Sequence, residues 1–74
     1  MNNTAYLAIL RTHYELYVVA ESEESAKKRI VEAYKKFYGK HRQLEKPTYK
    51  ELNEYYGCPI YKVDTTKGFI VEGS

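Results

Sequence analysis

The chain has 74 residues, a net charge of +2, nine tyrosines, no tryptophan and a single cysteine, Cys58. That length sets an expectation of one domain, residues 1–74, with a thin core that buries roughly 60% of the unfolded surface. No apolar run approaches the ~20 residues that cross a bilayer, MNNTAYLAIL lacks a basic n-region and a small-residue cleavage site, and one cysteine cannot form an internal disulfide, so the expectation is a cytoplasmic protein with no membrane association.

In chain order, Thr4 to Arg11 and Tyr14 to Glu21 read as two strands rich in Tyr, Leu, Ile and Val. A two-residue turn at Thr12-His13 would pair Ile9 with Leu16, Leu7 with Val18 and Ala5 with Ala20 on one side. Leu10 would then face Glu15, Ala8 would face Tyr17, and Tyr6 would face Val19 on the other. Thr-His is a poor two-residue loop. A longer turn would shift the register, and a shift of one residue exchanges the faces.

Ser22 to Gly39 reads as an amphipathic helix. Ser22 suits the N-cap, Glu23 and Glu24 suit the positive end of the dipole, and Gly39 suits a left-handed stop. Ala26, Ile30, Ala33, Tyr34 and Phe37 form its apolar stripe. Glu32 is spaced to pair with Lys28 or Lys36. A polar loop, Lys40 to Pro47, leads to a shorter helix capped by Thr48, where Thr-x-x-Glu with Glu51 is a capping-box pattern. Tyr49, Leu52 and Tyr56 share its inner face, with Tyr55 at the edge. Gly57 and Pro59 end it. Ile60 to Asp64 and Phe69 to Val71 read as a closing hairpin around Thr65-Thr66-Lys67-Gly68. The sum is β-β-α-α-β-β, an α+β domain with a small, mainly antiparallel sheet and two helices packed on one face.

Two short helices cover one side of a sheet, so the other side is expected to be open. Tyr6, Leu10, Tyr17 and Val19 fall on that side and form the expected partner-binding patch. Tyrosine suits such a surface because it combines large contact area with few rotatable bonds; it also suits strands and cores, where Tyr34 and Tyr49 fall. Charge is uneven: residues 27–50 hold nine Lys/Arg against two Glu, or +7, and the rest holds three against eight acids, or −5. Lys28, Arg29, Lys35, Lys36, Lys40, His41 and Arg42 therefore form a basic stripe and loop that would steer an acidic partner or follow a phosphate backbone, with Tyr38 and Tyr55 near enough to stack on bases. The same lysines also serve to solvate a helix, and no helix-turn-helix, RRM or KH signature accompanies them.

Nothing in the sequence calls for catalysis, a cofactor or a metal. Cys58 follows a helix stop and precedes a proline, as a small buried residue would, and His13, His41 and Cys58 lack zinc spacing. The hairpin that leads through E-S-E-E-S-A into a helix, in a very short chain rich in Tyr and Lys, resembles small accessory proteins of phages and mobile elements. That resemblance implies a binding protein that inhibits host machinery, in the manner of anti-CRISPR inhibitors. The expectation is thus a non-catalytic protein that docks on a protein partner with an acidic surface through the sheet face and basic helix. Self-association into a homodimer is its nearest variant, and nucleic-acid binding through the basic helix and loop is the alternative.

Overall fold

A computed structural model describes residues 4–64. The strands are β1 (Thr4–Arg11), β2 (Glu15–Ala20) and β3 (Ile60–Asp64), and the helices are α1 (Glu23–Tyr38) and α2 (Tyr49–Tyr55), with one 3-10 turn at Gly39–His41 after α1. The sheet is antiparallel, in the order β2-β1-β3, so the first strand lies in the middle. Both helices pack on one face of it, which makes a small α+β domain. The expected second strand of the closing hairpin, Phe69 to Val71, and its turn lie outside the described residues.

The helix boundaries follow from their caps. The Ser22 hydroxyl accepts from the Ser25 N–H at 3.1 Å, which satisfies one of the donors that the first turn leaves unpaired. Gly39 stands at φ +55°, where a side chain would be strained. At α2 the capping box is complete: the Thr48 hydroxyl accepts from the Glu51 N–H, and the Glu51 carboxylate accepts from the Thr48 N–H.

Register is where the structure departs from the sequence reading. The β1–β2 connection has three residues, Thr12, His13 and Tyr14, rather than two. The Thr12 hydroxyl donates to the Tyr14 carbonyl at 2.9 Å and accepts from its N–H at 3.1 Å, which fastens the turn. The extra residue moves the ladder by one, to Tyr6↔Ala20, Ala8↔Val18 and Leu10↔Leu16 facing the helices, with Leu7↔Val19 and Ile9↔Tyr17 facing away. The inner and outer sides of β2 are as expected, whereas those of β1 are exchanged.

The core consists of Ala8, Leu10, Ala20, Ala26, Ile30, Tyr34, Leu52 and Cys58. The alanines let α1 approach the sheet closely, and Tyr34 is the largest side chain wholly enclosed. Its hydroxyl accepts from the Leu44 N–H at 3.1 Å and lies 3.2 Å from the Tyr56 hydroxyl, so the burial leaves no polar atom unpaired. The helix is rotated slightly from the expected stripe. Val31 and Tyr38 pack on the core, while Phe37 is exposed.

Candidate functional site

Two surfaces carry the residues that the sequence singles out, one on each layer of the domain. The first is the face of the sheet turned away from the helices. Val19 and Tyr61 both pair with Leu7, one from each side, and Tyr17 pairs with Ile9. Leu7 and Ile9 are each only 4% exposed, whereas Tyr17, Val19 and Tyr61 are 45%, 50% and 48% exposed. The result is an apolar floor with three half-exposed side chains standing around it. The Tyr17 hydroxyl donates to the Glu15 carboxylate on the same face, a bond that raises the Tyr17 pKa.

Tyr17 and Val19 are where the sequence placed them. Tyr6 and Leu10 are not. Both lie beneath the helices, Leu10 fully buried and Tyr6 packed against the core, because the longer turn reverses β1. Leu7, Ile9 and Tyr61 take their places. Sequence alternation could not reveal this. Every residue of β1 from Leu7 to Leu10 is buried, as a central strand requires, so its pattern has no phase.

The second surface is the helix layer, which faces the opposite way. Lys28, Arg29, Lys36, Lys40 and His41 are exposed, and the four lysine and arginine side chains among them make no ion pair with another described residue. Lys35 differs: its ammonium lies 3.9 Å from Glu32, which pairs there rather than with Lys28 or Lys36. Arg42 is not a free cation at the surface either. Its guanidinium donates to the Glu45 carbonyl at 2.6 Å and to the Gly39 carbonyl at 2.8 Å, and so braces the loop after α1.

Where this layer meets the hairpin turn lies a hollow of about 210 Å³. The turn contributes Thr12 and His13, the end of α1 and the following loop contribute Tyr38, His41 and Gln43, and the last residue of α2 and its C-cap contribute Tyr55 and Tyr56. Six rings run through this region in contact. Tyr14 meets Phe37 at 5.5 Å between centroids, Phe37 meets Tyr38 at 5.1 Å, Tyr38 meets Tyr34 at 5.1 Å, Tyr34 meets Tyr56 at 5.8 Å, and Tyr56 meets Tyr55 at 4.6 Å. Offset and edge contacts of this kind add about 0.5–1.5 kcal/mol per pair beyond burial. The hydroxyls are tied as well: Tyr38 to Thr12 and Tyr55 to Gln43 Oε1, the latter at 3.1 Å. Burial, then the bond to Tyr34, pushes the Tyr56 hydroxyl well above its usual pKa. His13 and His41 are distant in sequence, and only the docking of the turn against the end of α1 brings them to one hollow.

Cys58 is fully buried, and that burial pushes its thiol up to about 11, so it is a poor nucleophile. Its carbonyl accepts from the Tyr49 hydroxyl at 2.5 Å. Among the described residues no group of three or more His, Cys, Asp or Glu is placed to hold a metal ion, and no helix is long and apolar enough to cross a membrane. The chain matches no protein-family model, and no curated protein or solved structure matches it.

Proposed function

We propose that this is a non-catalytic binding protein whose open sheet face docks on a protein partner. The observation that carries this reading is the placement of Tyr17, Val19 and Tyr61, half-exposed, around the buried floor of Leu7 and Ile9. Aromatic anchors over an apolar centre are what the energetically dominant part of an interface contains. Two tyrosines and a valine at this exposure leave roughly 300 Å² of side-chain surface. That suits the centre of a footprint of about 800 Å² on each partner, with the polar strand ends and loops as its rim.

The basic face of α1 points away from the sheet, so it does not share this footprint. It contributes a long-range field that steers a partner with an acidic surface, an effect that salt screens over about 8–10 Å. Inhibition by occupying a surface of the target is the role that the resemblance to phage and mobile-element accessory proteins adds.

The test is capture from nuclease-treated host lysate by three forms of the protein. Wild type and Lys36→Glu should retain the same partner, and Tyr17→Ser/Tyr61→Ser should lose it while keeping the wild-type circular dichroism spectrum. Equal capture by the double variant would remove the sheet face from the reading. Sedimentation across a hundred-fold range of concentration separates the homodimer variant. A dimer that dissolves in the same double variant would make a second copy the occupant.

A further inference from the structure

We propose that the hollow between the hairpin turn, the end of α1 and α2 holds one unpaired nucleobase, carried by single-stranded nucleic acid or by a free nucleotide. This site belongs to the helix layer and does not depend on the open sheet face.

The argument starts from the rings. Tyr55 is one of the most exposed large side chains of the described residues, yet it is not free to turn, because its hydroxyl donates to Gln43 and its ring rests on Tyr56. An exposed ring already held in place stacks on a base without losing much further freedom. Tyr38, held by Thr12 on the other side of the hollow, is fixed in the same way.

The polar lining matches the edge of a base. The Gln43 amide oxygen is engaged by Tyr55, which leaves its NH₂ group without a partner among the described residues and available to a base carbonyl. The imidazoles of His13 and His41 are exposed at the rim, and each offers one donor and one acceptor when neutral. Unstacked bases are read by such side chains on their open edges. At about 210 Å³ the hollow is below the roughly 300 Å³ where ordinary small-molecule sites begin, so it accepts one planar heterocycle and not a larger ligand.

The attached phosphate has a place to go. Gln43 is shared with a second, more open hollow that Lys40 also lines, and residues 27–50 carry the +7 surplus. Glu45 lies in that second hollow and opposes an anion there; Arg42 lines it too, but with its guanidinium committed to the loop backbone. Lys40 is therefore the cation to which the reading assigns the phosphate. An apolar segment of a protein would gain nothing from this charge, whereas a base with its phosphate uses both the rings and the lysine.

The probes are a fluorescein-labelled ten-residue oligothymidylate, followed by anisotropy at 25 and 250 mM salt, and thymidine monophosphate, followed by amide and imidazole NMR shifts. The expected result is binding of at least one probe at low salt, with the oligonucleotide weakened at least ten-fold at high salt. Shifts should centre on His13, His41, Gln43 and Tyr55. Binding of the oligonucleotide alone identifies a strand as the source, and binding of both identifies the nucleotide unit. Tyr55→Ala should weaken binding five-fold or more, and Tyr55→Phe, which keeps the ring, should stay within about three-fold of wild type. No binding of either probe at 25 mM salt overturns the proposal. So does binding that Lys40→Glu abolishes and Tyr55→Ala leaves within two-fold, and so do shifts centred on Tyr17 and Tyr61.

Discussion

From the hairpin turn through the helix layer, five tyrosines and one phenylalanine touch one after another from Tyr14 to Tyr55, and the hydroxyls of Tyr34, Tyr38, Tyr55 and Tyr56 are all bonded within the domain. On the open face Tyr17 and Tyr61 stand on the two outer described strands, with Ile9 and Leu7 between them, and neither meets another ring among the described residues. One residue type thus serves two ends. In the first region the rings fasten one another, although Tyr14 and Tyr55 also keep exposed surface; in the second both tyrosines stand about half exposed without a neighbouring ring. An abundance of tyrosine is therefore no measure of binding surface. What separates the two groups is whether the ring already lies against another ring among the described residues.

That contrast can be broken by measurement. Leu10→Ala should have the largest effect, lowering the free energy of unfolding by about 2–5 kcal/mol in urea titrations, because it opens a cavity beneath α1. Alkaline pH comes next. The Cys58 thiol has a folded-state pKa of about 11 against an ordinary 9.0, so the native state holds its proton more tightly. The stabilisation is fully present below about pH 9 and is lost as pH rises through 11, a change of about 2–3 kcal/mol. The raised Tyr49 and Tyr56 act in the same direction. Cys58→Ala should flatten this part of the pH–stability curve, and an unchanged slope would remove the thiol as its source.

Tyr34→Phe should cost about 1–2 kcal/mol, since it leaves the Leu44 N–H without its acceptor, whereas Tyr61→Phe should cost nothing measurable. Similar losses in the two variants would dissolve the distinction between bonded and unbonded tyrosines. Thr48→Ala should cost about 1 kcal/mol through loss of the α2 cap. Tyr17→Ser/Tyr61→Ser should stay within about 0.5 kcal/mol per site of wild type in the same titrations. A larger loss would make these residues part of the fold and not a surface left for a partner.

The helices were legible because their signals are local. Ser22, Gly39, and the Thr48–Glu51 pair act on backbone groups within one turn of themselves, and each does what its position implies. Register was not legible, because it depends on how Thr12 bonds to Tyr14 across the turn and because β1 is apolar on both sides. Two of the four residues expected on the open face, Tyr6 and Leu10, were misplaced for that reason alone. The sequence pattern turns Phe37 inward because apolar residues at 30, 31, 33, 34, 37 and 38 make a stripe too broad to fix the helix rotation. The hollow beside Tyr55 had no sequence signal, since its two histidines meet only through tertiary docking.

The central place of the first strand has a consequence for synthesis. Once Ala20 has left the ribosome, β1 can pair with β2, but its other edge must wait for Gly57, Pro59 and β3, which bond to it from the far end of the described chain. Throughout that interval the nascent hairpin presents an unfilled row of amides and carbonyls, the kind of edge on which stray strands assemble. Closing so long a loop also slows folding relative to the helices. A stalled or truncated translation product that stops before Ile60 would accordingly be prone to aggregate.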